Sequence, residues 1–286
     1  MNKITKGFKH FVEKAGVPSL ITSAIALVLI IITSFFGHPE KDYTGWFAWI
    51  VEFFSKSILG ISSIFGNSFG IGIIVFTILA RTFVLPLMIY QVGSSKNMSL
   101  ATPEIKPIQE KYRGKRDSAS MQAMQAETNA VYKKYGVNPY ASLLPLLIQL
   151  PILMALYWAI YQTPELRQGS FLWFQLGGTD PYFVLPILAA LFTFVSSWMS
   201  MASTENAPGF TKAMPYIFPV IIFFTALSFP TALSLYWVVG NFYQAVQTYF
   251  LQNPFKMRRE RREKKAAEIA AHRAIEKKKR KLRNKK

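Results

Sequence analysis

Apolar stretches close to twenty residues long recur along this chain, and no other feature constrains its folding as much. About 20 apolar residues wound as a helix cross the ~30 Å hydrocarbon core of a bilayer. Inside that core a backbone must satisfy its own polar groups, which leaves helices and closed barrels as the only spanning structures. The stretches read as spans cover 18–36, 69–92, 139–162, 181–203, 214–229 and 231–251. The expected fold is therefore an all-α polytopic membrane protein. The first stretch, VPSLITSAIALVLIIITSFF, follows a basic segment, 1–17, with Lys3, Lys6, Lys9 and Lys14. A signal-like segment has a 7–15-residue apolar core ending at a small-x-small site. This core is longer and its exit reads Ser34-Phe35-Phe36-Gly37, which favours a retained membrane helix. The last two spans are separated only by Ser228-Phe229-Pro230 and form a tight helical hairpin. Pro215 and Pro219 bend the start of the first of that pair, whose shortness suits a thin local bilayer.

The polar pieces between spans sort by charge. Residues 37–68 carry Trp46, Trp49, Ile50, Phe53, Phe54, Ile58 and Ile61 at helical spacing. A helix lying in the membrane interface fits that pattern, and so does a helix packed on the ends of the bundle. Residues 93–138 read as a helical hairpin, with Gly114 between its arms, Asp117 or Ser118 capping the second and Gly136 closing it. Residues 163–180 and 204–213 are loops, and the tail, 252–286, suits a solvated helix or disorder. Lys and Arg number four before the first span, eight in 93–138, one in 204–213 and sixteen in the tail, where only four Glu oppose them. The other face holds Lys41, Lys56 and Arg167. The positive-inside rule then puts both termini, the hairpin and the 204–213 loop in the cytoplasm. With no cysteine, disulfides and thiol chemistry are excluded. His10, His38 and His272 are scattered, so neither metal nor cofactor is expected.

One cation remains, Arg81, and it lies inside the 69–92 span. A guanidinium does not deprotonate in a protein, and at mid-bilayer it costs about 2.5–3.5 kcal/mol on insertion scales. Every acidic residue falls outside the spans, from Glu13, Glu40, Asp42 and Glu52 through Glu104, Glu110, Asp117 and Glu127 to Glu165, Asp180, Glu205 and the tail. An intramembrane ion pair is thereby ruled out. Polar side chains are available instead: Thr77 one turn earlier, Gln149 in the next span, and Thr193, Ser196, Ser197 and Ser200 in the one after. The last span carries Ser234, Trp237, Asn241, Gln244 and Thr248 at gaps of three and four, hence on one face. Small polar residues in membrane helices commonly serve packing, at about 0.6 kcal/mol each. Alongside an unpaired arginine, a shared hydrated cavity is the better account. Pro86, Pro145, Pro151 and Pro215 each free a backbone carbonyl, and taken singly each reads as a packing kink.

Several stretches together resemble the YidC/Oxa/Alb family of membrane protein insertases. They are ARTFVLPL in the first core span, KKYGVNPYASLLPLLIQLPILMALYWAI, FLWFQLGGTDPYFVLPIL and ALSLYWVVGNFYQAVQTYFLQ, covering about residues 43–255. The resemblance implies a five-helix core around a hydrophilic groove that opens to cytoplasm and lipid and is closed on the far side. It maps the groove arginine onto Arg81 and implies that Gln149, Ser196, Ser197 and Trp237 line the groove, with Thr77, Ser200 and Asn241 as further lining candidates. Many members from bacteria with a single membrane carry a lipid-modified cysteine after the first apolar run, where this chain has Phe36-Gly37-His38. The implied function is insertion of nascent membrane proteins at the bacterial plasma membrane, with no catalytic residue. Partners implied with it are the Sec translocation channel and targeting machinery. In that setting the tail cations Arg258, Arg259, Arg261, Arg262, Lys277, Lys278, Lys279, Arg280 and Lys281 would meet ribosomal RNA or anionic lipids. Met98, Met121 and Met124 of the hairpin offer an adaptable apolar surface for clients, or pack its two arms together. Two rival classes fit less well. A secondary transporter calls for a coupling carboxylate within a span, and a ribosome-docking scaffold leaves Arg81 unexplained.

Overall fold

The structure, a computed structural model, describes residues 11–13, 15–37, 47–115, 117–138, 144–203 and 209–283. The lysines of the basic N-terminal segment, Lys41, Trp46 and residues 204–208 of the 204–213 loop lie outside the described residues. Helices make up nearly all of it. In chain order they are α1 (Val17–Ser34), α2 (Ala48–Ile64), α3 (Phe69–Phe83), α4 (Leu85–Lys111), α5 (Ser118–Tyr135) and α6 (Leu144–Gln162). There follow the short α7 (Pro164–Gln168), a two-stranded ribbon of β1 (Ser170–Phe171) and β2 (Phe174–Gln175), α8 (Val184–Ser203), α9 (Gly209–Ser228), α10 (Thr231–Gln252) and α11 (Pro254–Arg283). The protein is a helical polytopic membrane protein. Among the described residues, α1 and the Val184–Met201 part of α8 are each long and apolar enough to cross a bilayer alone, with mean hydropathy 2.2 and 1.8. Helices α2 and α3 form an apolar pair bent by 118°, and Leu147–Gln162 and Ala213–Ser228 are apolar but shorter.

Helix α8 packs against both α9 and α10; α10 packs in turn on α3, which also meets α1 and α2. Ile58, Ile61, Ile73, Phe76, Leu156, Ile160, Leu176, Leu233 and Tyr236 form the centre of one core shared by α2, α3, α6, the ribbon and α10. The end of the bundle carrying the 163–183 loop is laced shut. Thr231 and Ala232 donate their amides to the carbonyls of Gly178 (2.7 Å) and Leu176 (3.1 Å), and the Ser55 and Thr163 hydroxyls pair at 2.8 Å. Buried Asp180 accepts from Trp173 Nε1 (3.0 Å), the Tyr182 amide (3.1 Å) and the Leu185 amide (2.7 Å). Helix α2 buries its C-terminal half, Ser57 to Ser62, in the bundle and leaves Trp49 exposed.

The stretch expected as one span, 69–92, is interrupted at Val84, the residue shared by the end of α3 and the start of α4. Pro86 is the cause: it has no amide for the i−4 carbonyl and its ring crowds that turn. Beyond the break α4 runs without interruption past residue 93, where the cytoplasmic hairpin was expected to begin, and ends at Lys111. Its distal half and α5 form that hairpin. Ala101, Ile105 and Val137 pack between the arms with Met98, Val131, Tyr132 and Tyr135, while Met121 is exposed and Met124 half-buried. Ion pairs clamp both ends, Lys111 to Glu127 at 2.6 Å and Lys134 to Glu104 at 2.7 Å. Hydrogen bonds from Lys134 and Tyr135 hold the Glu104 carboxyl below its usual range, and those from Lys111 and Tyr112 do the same for Glu127. Asp117 caps α5 by accepting from the Ser120 amide at 2.8 Å, and Gly136 ends it in the left-handed region.

Asn253, at φ 40°, turns the chain between α10 and the tail helix α11. Phe255 anchors that helix against Trp198 and Tyr249, with ring centroids 6.1 and 6.3 Å apart. Arg259 pairs with Glu263 at 2.9 Å on its exposed surface, where Arg262 and Lys277 are also exposed. The side chains of Arg258, Arg261, Lys278, Lys279, Arg280 and Lys281 lie outside the described set.

Candidate functional site

Arg81 sits in the last turn of α3, just before the break. Its guanidinium lies over the Tyr236 ring, with Cζ 5.7 Å from the centroid, a cation–π placement worth about 0.5–2 kcal/mol. Tyr236 is 2% exposed, so the flat ring is a fixed floor. One turn along α10, Gly240 supplies the space: a Cβ there would stand 2.7 Å from Nη2 and 3.0 Å from Nε of Arg81. From the third side, Gln149 of α6 donates its Nε2 to the Tyr236 hydroxyl at 2.8 Å. The guanidinium is thus located by a ring and a glycine notch, neither of which neutralises it.

Around this group lies a cavity of about 280 Å³, counted with its open mouth, lined by Ala80, Arg81, Val84, Met88, Ile148, Gln149, Ile152 and Tyr236. Four helices contribute: α3, α4, α6 and α10. Neither Asp nor Glu is among the lining residues. The ion pairs among the described residues are Lys56–Glu52, Lys111–Glu127, Lys134–Glu104 and Arg259–Glu263, none of which involves Arg81. Nε of Arg81 is buried and meets no hydrogen-bond acceptor among the described residues. A buried charged donor without an acceptor costs more than an ordinary lost hydrogen bond. The site therefore holds an unspent preference for an anion or a polar oxygen.

The other residues singled out in the sequence fall into separate groups. Thr77 is fully buried and donates back to the Ile73 carbonyl at 2.6 Å. Ser196 and Asn241 belong to a second polar cluster that joins α8 to α10. Asn241 donates to Thr193 Oγ1 at 3.0 Å, and Ser196 lies 3.4 Å from Asn241 Oδ1. Ser197 and Ser200 are half-buried on the same helix, α8. Trp237 is 7% exposed in the apolar core, edge-on to Phe229 at 6.1 Å. Arg81 and Gln149 come together through Tyr236, a residue the sequence reading passed over along with Gly240. A signal for both existed: Tyr236, Gly240 and Tyr243 recur at gaps of four and three, which places them on one stripe of α10. That stripe faces α3, where Tyr243 also meets the Thr82 hydroxyl at 3.0 Å.

Comparison with known proteins agrees with the sequence patterns. Residues 60–260 match the family model described as 60Kd inner membrane protein. The chain is 50% identical over 246 residues to "Membrane protein insertase YidC 2" of Lactiplantibacillus plantarum, covering 85% of this chain and 88% of that one. It is 46% identical over 245 residues to "Membrane protein insertase YidC" of Pediococcus pentosaceus, covering 84% and 88%. With the protein of the same description from Enterococcus faecalis it shares 42% identity over 258 residues, covering 90% and 93%.

Proposed function

The chain belongs to the YidC/Oxa/Alb family of membrane protein insertases, and from that premise we propose that the Arg81 cavity is where the polar flank of a client enters the membrane. The protein is a bacterial membrane protein insertase, and it makes and breaks no covalent bond in that role. The working core has five spans, α3 with the start of α4 as the first and then α6, α8, α9 and α10, and α1 is a sixth span. The laced end faces outward and the α4–α5 hairpin and both termini face the cytoplasm. The cavity opens to the cytoplasm and, past the half-exposed face of α6, to lipid. Water entering at its open mouth to meet the guanidinium would shorten the dry path that a hydrophilic flank must cross. The observation that carries this reading is the buried Nε of Arg81 without an acceptor in a cavity lined by no carboxylate. A nascent chain supplies the missing oxygen and then leaves sideways, held in lipid by apolar burial at about 25 cal/mol per Å².

Because the chain has no cysteine, Gln149→Cys places a single thiol in the cavity. A charged, membrane-impermeant maleimide added from the cytoplasmic side is expected to label it readily, since a wetted thiol reaches its reactive thiolate form more easily than one in apolar surroundings. Labelling as slow as that of Leu156→Cys, in the fully buried core, would contradict a hydrated groove.

The tail belongs to the same reading as a contact for the ribosome, with anionic lipid and the Sec channel and targeting machinery as further partners. Helix α11 runs 30 residues, and the tail's sixteen cations against four Glu suit phosphate recognition without sequence preference. Such contacts weaken steeply with salt. Co-sedimentation with ribosomes is expected to fall as salt rises and to vanish on truncation after Asn253. Binding that survives truncation would place the ribosome contact elsewhere.

A further inference from the structure

Backbone accounting at the α3–α4 break leads to a residue far away in sequence. In an unbroken helix the amide of Leu87 would close on the Phe83 carbonyl, but here it turns to Val84 at 3.1 Å, as does that of Met88 at 3.2 Å. The Phe83 carbonyl is thereby released in an apolar setting, where an unmade hydrogen bond is costly. Ser23 of α1 takes it, its hydroxyl donating at 2.5 Å.

Helix α1 is fitted to this place. It turns Ser19, Ser23, Ala26, Ile30 and Thr33 to the bundle at gaps of four and three, and leaves Ile21, Ile25, Val28, Leu29 and Ile32 exposed. Small side chains on the inward face let membrane helices approach closely. At Gly60 of α2 the approach is backbone to backbone, since a Cβ there would lie 1.8 Å from the Thr33 carbonyl oxygen. The Ser57 hydroxyl also lies 3.4 Å from the Ile30 carbonyl. A removable signal needs apolar length, whereas this helix has a specific inward face.

We infer that α1 stays with the insertase and that Ser23 is a positioning residue: by holding the Phe83 carbonyl it fixes the last turn of α3, and so the aim of Arg81 two residues earlier. The functional half of this inference rests on the Arg81 reading above; the bracing of the break does not.

The test combines intact mass, hydrogen exchange and insertion on the full-length protein in proteoliposomes. Intact mass of the membrane-purified protein is expected to include residues 17–34; their absence overturns the inference at once. Amide exchange in the segment around Val84 to Met88 is expected to quicken roughly threefold to tenfold in Ser23→Ala, the range of one neutral hydrogen bond, and to stay near the parent in Ser23→Thr. Unchanged exchange in the alanine variant, or an equal rise in both, overturns the brace. Insertion is then compared for two clients that differ only in an acidic or a neutral flank, with Arg81→Ala run alongside. Ser23→Ala is expected to slow the acidic-flank client selectively and Ser23→Thr to restore it. Equal loss on both clients, or no loss, overturns the positioning role. An Arg81→Ala variant that shows no selectivity counts against the Arg81 reading and against the aiming role together, and the exchange result still decides the brace.

Discussion

Replacing Arg81 with alanine should slow the insertion of a client whose translocated flank carries an acidic residue by roughly tenfold to a hundredfold. That range corresponds to the ~1.5–3 kcal/mol of a hydrogen bond to a charged group. The guanidinium sits over Tyr236 at 5.7 Å with Nε unmet, so alanine removes the attraction without leaving another charge stranded. Arg81→Lys should fall between the two. It keeps the positive charge, but as a compact, strongly hydrated point that lacks the flat face for the Tyr236 ring and the fork that grips a carboxylate. Protease protection of the client in proteoliposomes measures all three forms side by side. Parent-like insertion by the alanine variant would mean that the charge does not recruit the flank.

Tyr236→Ala should be the most damaging change on the opposite wall. Tyr236 is among the largest fully buried side chains. Its ring is the floor under Arg81, and its hydroxyl accepts from Gln149 at 2.8 Å. Truncating a buried aromatic to alanine costs about 3–5 kcal/mol, so the thermal transition should drop clearly and insertion should fail with it. Tyr236→Phe separates the ring from the hydroxyl. It keeps the floor and frees the Gln149 amide, which faces the open cavity and can turn to water. The cost should stay near the ~1 kcal/mol of a single hydrogen bond. Thermal unfolding in detergent and the insertion assay together read the pair. A phenylalanine variant as impaired as the alanine one would mean that the Gln149 bond, and not the ring, holds the site together.

The parts of this site that can be read from sequence are those that depend on one residue against its own background. Arg81 stands out because fifteen acidic residues can each be located outside the apolar stretches, and Gln149 because it interrupts an apolar run. The polar hairpin from α4 to α5 is marked by Gly114, Asp117 and Gly136, whose backbone demands are local. What escaped reading depends on two segments meeting. Periodicity groups Trp237 with Ser234 and Asn241 on one stripe of α10 but does not say which stripe meets α3. The neighbouring one, with Tyr236 and Gly240, does so. Pro86 reads as an ordinary kink until the Leu87 amide is seen turning to Val84 and the Phe83 carbonyl reaching Ser23. The 69–92 stretch reads as one helix because hydropathy is blind to a missing amide. For Tyr236, Gly240 and the Phe83 carbonyl the deciding information is a contact across helices, which residue spacing within one helix does not carry.

A charge exchange tests most directly whether Arg81 waits for a partner carried by the client. Insertion of a client with an aspartate in its translocated flank, and of the same client with lysine in its place, is measured on the parent and on Arg81→Glu. The parent should insert the aspartate client faster, and Arg81→Glu should reverse that order, inserting the lysine client faster. An unchanged order of clients on both proteins would contradict an electrostatic meeting at Arg81.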